Sequence, residues 1–408
     1  MSEHPLPPPR HLPVATPAPA LARRGLLAIF GSTFFELMGY FMLAPWLILR
    51  LNADGVSTAM AGVFAATGWV GIFLMTPFAS AITRTLGRRP TLWLAAFLPA
   101  VATAGFALTS SLAVWFALQL AAGMASGLRW VLAEAVVAEF SPPHQRGRSV
   151  GLFETMVGAT FVLGPMVLTW VGPQSAAALG VALAFMLVGL AWSLLIPPLP
   201  PAADAHQARV GLGGVWLALR AHPLIMAVGF VGGFFESGLT AILPLYGLAL
   251  GLGVAAATLL VSASGLGSAL MMLPAGMLAD RMAHHPSGRW GDERAARLTL
   301  MRLCAVVTLA ATVLIPLVAG TPWLAAPIAF LWGGAGGCLY TLAMIDIGSR
   351  EEGVTLVNST AVLVLSYTLG GVLAPSLGAA TLQWAPVLGF PVLLIGVAGL
   401  GVWLLRRG

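Results

Sequence analysis

The residues of this sequence that can do chemistry are ionisable side chains set inside long apolar segments. Glu36 and Arg129 each lie roughly 17 Å along a helix from an arginine-rich end, at a rise of 1.5 Å per residue. A charge near the centre of a bilayer costs roughly 2.5 to 3.5 kcal/mol on insertion scales, so a chain keeps one there for a reason. Because their depths match, we expect Glu36 and Arg129 to pair.

Proton binding is the chemistry that such a pair supports. Burial disfavours the charged form of a carboxyl group, and a neighbouring guanidinium favours it. A glutamate that gains and loses its arginine partner between two conformations can therefore take a proton on one side and release it on the other. A static ion pair that only fixes helix packing is the alternative. Glu236, Tyr40 and Trp130 are predicted to belong to the same site.

Composition places these residues in a membrane. The chain has 408 residues, of which 59% are hydrophobic and 8% are charged, and its mean hydropathy is +0.92. All 20 basic residues are arginine. Without lysine there is no Walker motif, which excludes an ATP-driven pump. Cys304 and Cys338 both lie in apolar runs, so we expect no disulfide framework, no metal site and no cofactor.

Long apolar segments recur along nearly the whole chain, and a helix needs roughly 20 such residues to cross a bilayer. Short stretches of Gly, Pro or Arg separate them. An all-α integral membrane protein with twelve transmembrane helices is therefore predicted, at Gly25–Leu49, Thr58–Thr83, Pro90–Leu108, Leu112–Phe140, Ser149–Val171, Ala176–Ile196, Leu224–Leu250, Ala256–Ala279, Leu298–Ala319, Trp323–Gly348, Val354–Leu377 and Pro386–Leu405.

The placement of arginine predicts the orientation. Eighteen of the 20 arginines lie on one alternating side of the predicted spans, whereas the opposite loops carry only Arg50 and Asp54 as charged residues. Because positive residues concentrate on the cytoplasmic side of membrane proteins, we expect both termini to be cytoplasmic. The same distribution argues against nucleic acid as a partner, since the arginines follow the topology and do not form one binding face.

An internal repeat divides the chain into two halves. Phe34–Glu36 returns as Phe234–Glu236, and Arg84 is matched by Arg281 at an offset of 197 residues. A proline- and glycine-rich stretch at Pro197–Gly214 separates the halves. The predicted organisation is a disordered cytoplasmic tail at 1–22, a six-helix bundle at 23–196, a cytoplasmic linker at 197–222 and a second six-helix bundle at 223–408.

Three segments carry a family pattern. "LGRRP" at 86–90 follows the second predicted span, "GMLADR" at 276–281 takes the equivalent place in the second half, and "GATFVLGP" at 158–165 ends in Gly-Pro. They resemble signatures of the major facilitator superfamily, and the chain is most similar to its bacterial drug:proton antiporters. The first-half aspartate of the signature is missing, and Thr83 or Arg84 takes its position. The resemblance covers 25–405.

This resemblance implies two pseudo-symmetric six-helix bundles in a bacterial inner membrane, with the first, fourth, seventh and tenth helices around a central cavity. It also implies charge networks that hold the cytoplasmic side closed. Glu134, Glu139 and Glu154 are assigned to such a network, with direct proton transfer as the alternative. Asp280 in "GMLADR" is predicted to accept hydrogen bonds from a neighbouring helix N-terminus. The other residues assigned to the gate are Arg84, Arg88, Arg89, Arg281 and Asp346.

The expected function is proton-coupled secondary transport by alternating access, in a monomer that binds protons and a small molecule. Export of a lipophilic or amphipathic compound is favoured, because the obvious amides for a polyhydroxy ligand are only Gln119, Asn358 and Gln383. A carrier for a sugar, a metabolite, or a metal or siderophore is the alternative, although the methionine pair Met38 and Met42 is no more than chance predicts. A transporter-like receptor is a further alternative, and no enzyme is expected.

Overall fold

The computed structural model describes residues 19–175, 177–199, 208–284, 292–385 and 388–407, which are almost entirely helical. Helices suit the membrane interior because they satisfy their own backbone hydrogen bonds. The helices are α1 (Pro19–Ala53), α2 (Thr58–Met75), α3 (Ala79–Leu86), α4 (Arg88–Leu108), α5 (Leu112–Phe140), α6 (Arg146–Val171), α7 (Ala177–Leu194), α8 (Gly211–Ala221), α9 (Pro223–Gly233), α10 (Leu239–Ala249), α11 (Val254–Ala283), α12 (Glu293–Val318), α13 (Pro322–Arg350), α14 (Gly353–Trp384) and α15 (Gly389–Arg407). Short 3₁₀ turns at Thr76–Phe78 and Pro143–Gln145 and a π turn at Phe234–Gly238 connect some of them.

Eleven helices of the described residues are long and apolar enough to cross a bilayer, and a twelfth span is counted when Gly211–Ala221 and Pro223–Glu236 are taken together across their 96° bend. We place the seventh span at 223–249 instead, because α9, the π turn and α10 follow one another without a break. At 1.5 Å per residue they reach roughly 40 Å, enough for one crossing. The predicted all-α membrane fold is confirmed.

Helix α8 lies in the stretch predicted as a linker and contacts both halves. The backbone N–H of Gly211 donates to Ser80 Oγ at 2.9 Å, and Asn358 Nδ2 donates to the carbonyl oxygen of Arg209 at 2.8 Å. Ser80 belongs to α3 in the first half and Asn358 to α14 in the second. Residues 200–207 of the predicted linker lie outside the described residues.

The two halves approach most closely where small residues meet. Helices α6 and α11 cross at Gly147 and Gly276, and α5 meets α13 where a β-carbon at Gly348 would lie 2.6 Å from that of Ala138. Both crossings lie at the helix ends that carry arginines. We call this end the arginine-bearing side, defined by Arg84, Arg88, Arg146, Arg281 and Arg350.

The first helix extends into the predicted tail. It begins at Pro19, so residues 19–22 are helical where no helix was expected. Proline is well tolerated in the first turn of a helix, since the N–H that it lacks has no intrahelical partner there. The rest of the predicted tail, 1–18, lies outside the described residues.

Candidate functional site: the cavity between the halves

A cavity lies between the two halves and is lined by residues of both. Much of its wall is apolar and aromatic, with Phe41, Trp69, Phe153 and Phe161 among the lining residues. The ionisable and hydrogen-bonding residues named from the sequence for a proton or substrate site all line it, namely Glu36, Tyr40, Arg129, Trp130 and Glu236. The fold therefore brings together residues that are distant in the chain.

Glu36 of α1 and Arg129 of α5 are in contact. Arg129 Nε lies 2.6 Å from Glu36 Oε2, and each residue is 3% exposed. Arg129 Nη2 also donates to Ser32 Oγ at 2.6 Å, one helical turn before Glu36. The pairing expected from equal depth is therefore present. Arg129 Nη1 is buried and has no hydrogen-bond partner among the described residues.

Glu236 lies on the wall formed by the second half, in the π turn of the seventh span. Ser268 Oγ of α11 donates to Glu236 Oε1 at 2.7 Å, and the side chain of Tyr367 on α14 forms another hydrogen bond with it. A π turn inserts one residue into a helix and is frequent at functional sites. Glu36 and Glu236 thus occupy equivalent repeat positions with different partners, a guanidinium in one half and hydroxyl groups in the other.

Glu134 and Glu154 do not lie in the arginine network to which the sequence assigned them. Both are buried and line the cavity, and neither forms an ion pair with any arginine that the structure describes. Their distance along the helix indicated only depth. Direction around the helix decides what a side chain contacts, and these two side chains point toward the second half.

Donors from both halves surround Glu134. Trp130 Nε1, one turn earlier on α5, donates to Oε1 at 2.5 Å, and the Tyr340 hydroxyl of α13 lies 2.8 Å from Oε1 and 2.7 Å from Oε2. Glu154 of α6 lines the cavity close to Glu134. Three aromatic rings pack against one another here. The centroid of the Trp130 ring lies 6.3 Å from that of Tyr340 and 5.7 Å from that of Tyr367, and the two tyrosine rings are 4.8 Å apart. This cluster joins the halves at the end of the cavity nearest the arginine-bearing side.

Asp280 connects the halves on the arginine-bearing side. Its Oδ1 accepts from the backbone N–H of Gly147 at 2.8 Å and its Oδ2 from that of Arg148 at 2.7 Å. Helix α6 begins at Arg146, so the carboxylate satisfies two N–H groups that have no partner within the helix, at the positive end of its dipole. The interaction predicted for Asp280 with a helix N-terminus is present.

Separate charge networks lie at the same side within each half. Arg88 donates two hydrogen bonds to Glu139, at 3.0 and 2.7 Å, as the network prediction expected for that glutamate. In the second half Arg297 lies 2.5 Å from Glu293 and 3.6 Å from Asp346. Asp346 also pairs with Arg350. These pairs brace helices within one half, whereas Asp280 acts between the halves.

The remaining predicted gate arginines contribute less. The Arg89 guanidinium lies over the ring of Trp93, 4.5 Å from its centroid. Arg84 and Arg281 are exposed and form no ion pair with a residue that the structure describes. Arginines at this boundary are expected wherever a chain meets the aqueous face of a membrane, so these three need no role in gating.

Comparison with protein families and curated proteins gives consistent matches. The sequence model of the Major Facilitator Superfamily matches residues 29–352. The uncharacterized MFS-type transporter YfkF of Bacillus subtilis is 23% identical over 344 residues, which is 83% of either chain. The uncharacterized MFS-type transporter YcaD of Escherichia coli is 26% identical over 335 residues, covering 82% of this chain and 83% of that protein.

Solved structures share the fold. The human organic anion transporter MFSD10 (TETRAN) superposes with a TM-score of 0.76 at 19% identity, covering 94% of this chain and 99% of that one. The transporter FucP in its outward conformation gives a TM-score of 0.73 at 13% identity, and the match covers 95% of this chain and 97% of that one. At these identities the likeness shows the fold alone.

Proposed function

This chain belongs to the major facilitator superfamily, and we propose that it exports lipophilic or amphipathic small molecules in exchange for protons. As a member of that family it is a multi-pass secondary transporter and not an enzyme. The curated relatives described above are bacterial, which supports a place in a bacterial inner membrane. The distribution of arginines favours a cytoplasmic location for both termini.

The chemistry of the cavity carries the proposal. Glu36, Glu134, Glu154 and Glu236 line an otherwise largely apolar and aromatic space, against the single guanidinium of Arg129. Apolar walls favour cargo with apolar surface, at roughly 25 cal/mol for each Å² removed from water. Buried carboxyl groups bind protons and attract cations. The excess of acids therefore favours a lipophilic cation over a lipophilic anion.

The contacts between the halves support alternating access. Asp280 and Tyr340 connect the halves on the arginine-bearing side. The arginine distribution favours a cytoplasmic location for that side, so these contacts would close the cavity toward the cytoplasm in this conformation. Separation of the same contacts would expose it to the cytoplasm, so a site between two rocking bundles serves both sides.

The alternatives gain no specific support. Of the three amides considered for a polyhydroxy ligand, Gln119 lies in a small pocket beside Tyr40, Asn358 is bound to the linker and Gln383 is exposed. Met38 and Met42 are buried away from the cavity lining. Nowhere in the described residues do three His, Cys, Asp or Glu side chains come together in a way that could hold a metal ion.

Inside-out membrane vesicles with an imposed pH gradient test the proposal. We expect a cationic dye such as ethidium to accumulate in vesicles that contain the parent protein, and dye addition to a pre-set gradient to move protons in the opposite direction. Vesicles without the protein are the control. Dye movement that ignores the pH gradient, or accumulation of a labelled neutral sugar in place of the dye, would contradict proton-driven export of amphipathic cargo.

A further inference from the structure

We propose that helix α8 lies along the membrane surface on the arginine-bearing side, and that its outward face binds anionic phospholipid of that leaflet. The bound lipid stabilises closure of this side. Such binding is independent of the cargo and of the exchanged ion proposed above. It makes the balance between the two conformations depend on the lipid composition of the membrane.

Helix α8 runs almost at a right angle to the span that follows it. Gly211–Ala221 is bent by 96° relative to Pro223–Glu236. Because Pro223–Glu236 begins the seventh span, which crosses the membrane, α8 runs parallel to the membrane plane. An apolar helix with this direction at the end of a span lies at the boundary between lipid and water.

The large apolar side chains of α8 point away from the protein. Its buried residues are all small, namely Gly211, Gly214 and Ala218. Its exposed residues include four large apolar ones, between 36% and 62% exposed, namely Leu212, Trp216, Leu217 and Leu219. A helix between protein and water shows the reverse pattern, with its large apolar residues facing the core. A helix in the membrane interface turns such residues toward lipid.

Basic charge accompanies this apolar face. The Arg220 guanidinium lies 4.7 Å from the centroid of the Trp216 ring, and tryptophan is typical of the membrane–water boundary. Arg209 lies two residues before α8 and is exposed. The segment 208–221 contains no Asp or Glu. An anionic headgroup therefore meets cations without a competing acid on this segment, and the leucines beside them select a lipid over a soluble anion.

Helix α8 covers a seam between the two halves, where α14 packs against α3. Gly211 is bonded to Ser80 of α3, and the carbonyl oxygen of Arg209 accepts from Asn358 of α14. A β-carbon at Gly214 would lie 2.5 Å from Asn358 Nδ2, so the backbone of α8 packs directly on α14. Asp280 joins the halves at the other seam, between α6 and α11.

Opening of the arginine-bearing side would change the lipid site. Helix α8 continues into the second half through α9, so separation of α3 from α14 breaks the contact between Ser80 and Gly211. Arg84 lies one turn after Ser80, is exposed and forms no ion pair with a described residue. Arg84 and Arg209 thus flank the contact that breaks. A headgroup that binds both arginines binds the closed conformation more tightly, and a ligand shifts an equilibrium toward the state that it binds better.

Quenching by lipid tests the contact on the full-length protein in nanodiscs. A fluorophore is attached to a cysteine at Gly213, which is exposed and has open space around its β-carbon, with Cys304 and Cys338 replaced by Ala. We expect strong quenching by phospholipid that carries a nitroxide near its headgroup. A fluorophore at Gln145, an exposed loop residue on the same side, should be quenched weakly. Equally weak quenching at both positions would overturn the lipid contact, and cross-linking between Gly213 cysteines would then assign the face to a second copy.

The preference for anionic lipid is measured with the nitroxide on phosphatidylglycerol or on phosphatidylcholine. Quenching at Gly213 should be stronger with phosphatidylglycerol. Arg209→Gln and Arg220→Gln should each reduce this preference, by up to about fivefold. Arg148→Gln is the matched control, because Arg148 is exposed on the same side but lies at the start of α6, on the seam that Asp280 joins. A preference that survives removal of both Arg209 and Arg220, or its absence from the parent, would contradict anionic lipid as the occupant.

Distance measurements test the effect of the lipid on closure. Spin labels are placed at Gln145 in the first half and Arg294 in the second, both exposed on the arginine-bearing side. Phosphatidylglycerol should reduce the population of long distances relative to nanodiscs of phosphatidylcholine alone. The combined change of Arg84→Gln and Arg209→Gln should abolish this difference, whereas Arg148→Gln should retain it. Distances that do not respond to phosphatidylglycerol in the parent, or respond equally in the double variant, would overturn the coupling of lipid to closure.

Discussion

Gly147 of α6 and Gly276 of α11 pack backbone against backbone, so that a β-carbon at Gly276 would lie 2.0 Å from the carbonyl oxygen of Gly147. The same segment of α6 donates two N–H groups to Asp280, one turn after Gly276. Closure of the arginine-bearing side thus combines a steric condition with an electrostatic one. Each can be removed by a single substitution.

The steric condition predicts that Gly276→Ala shifts the protein toward the conformation open on the arginine-bearing side, because backbone atoms cannot give way to the added methyl group. Gly265→Ala is the matched control, since it lies on the same helix and its β-carbon would meet nothing within 4 Å. Both changes favour the helix equally, by roughly 0.5–1 kcal/mol. Labelling of a cysteine at Ser126 in the cavity, applied from the arginine-bearing side, should increase only in Gly276→Ala. Equal labelling of the two variants would show that close packing of Gly276 against Gly147 is not needed to close the arginine-bearing side.

The electrostatic condition predicts a related outcome for Asp280→Asn. Asparagine keeps one acceptor oxygen but presents an N–H₂ group to the second backbone donor. A hydrogen bond to a charged group is worth about 1.5–3 kcal/mol, so the open population should rise about tenfold to a hundredfold. Ethidium affinity in the open state should stay nearly unchanged, because Asp280 is not among the residues that line the cavity. Ser126 cysteine labelling identical to that of the parent would show that Asp280 does not gate.

Depth in the membrane was predictable from the sequence, but direction around a helix was not. Counting residues placed Glu36 and Arg129 at one level, and they do meet. The same counting placed Glu134 and Glu154 near the arginines, whereas they face the cavity. On a helix that is apolar all round, periodicity gives no polar face from which to infer direction. The repeat pointed to Glu236 and the "GMLADR" motif to Asp280 by their positions in the sequence, so neither prediction required knowledge of which helix face is polar.

Two features had weak signals in the sequence. Tyrosine is rare here, with four residues, and three of them line the cavity; that rarity favours a specific role for Tyr340 over general packing. The bend before the seventh span coincides with His222-Pro223, and proline restricts the residue before it to non-helical conformations. The π turn that presents Glu236 packs against α14 and has no such cue in its own residues.

Orientation is tested by single cysteines at exposed loop positions. A cysteine at Ser110 should react with a membrane-impermeant maleimide in intact cells, and one at Gln145 only in inside-out vesicles, because positively charged loops stay in the cytoplasm. Both residues are exposed. Gly147 is unsuitable for this purpose, since it is buried against Gly276. The native Cys304 and Cys338 are replaced by Ala beforehand. Reversed reactivity at the two sites would invert the topology and the direction of transport argued from it.

Glu36→Gln tests whether the pair with Arg129 couples transport to protons. Glutamine mimics the protonated acid permanently, so accumulation of ethidium against its gradient should fall about tenfold or more, while downhill exchange of the dye continues.

Glu236→Gln should retain the coupling of transport to protons but weaken the binding of cationic cargo more than Glu36→Gln does. The reason is that Glu236 has hydroxyl partners and no arginine partner among the described residues. Uptake into inside-out vesicles, with and without an imposed pH gradient, separates the two effects.

Arg129→Ala should be more damaging than Glu36→Gln. It leaves Glu36 buried without its cation, and breaking a buried ion pair by removing one partner costs about 3–5 kcal/mol. Both uphill and downhill flux should therefore fall, together with the thermal stability of the purified protein. Combining the two changes should restore part of that stability, because no unpaired charge remains. If Glu36→Gln accumulates the dye as well as the parent does, Glu36 and Arg129 only fix the packing of α1 against α5. The coupling acid must then be sought at Glu134 or Glu154, which line the same cavity.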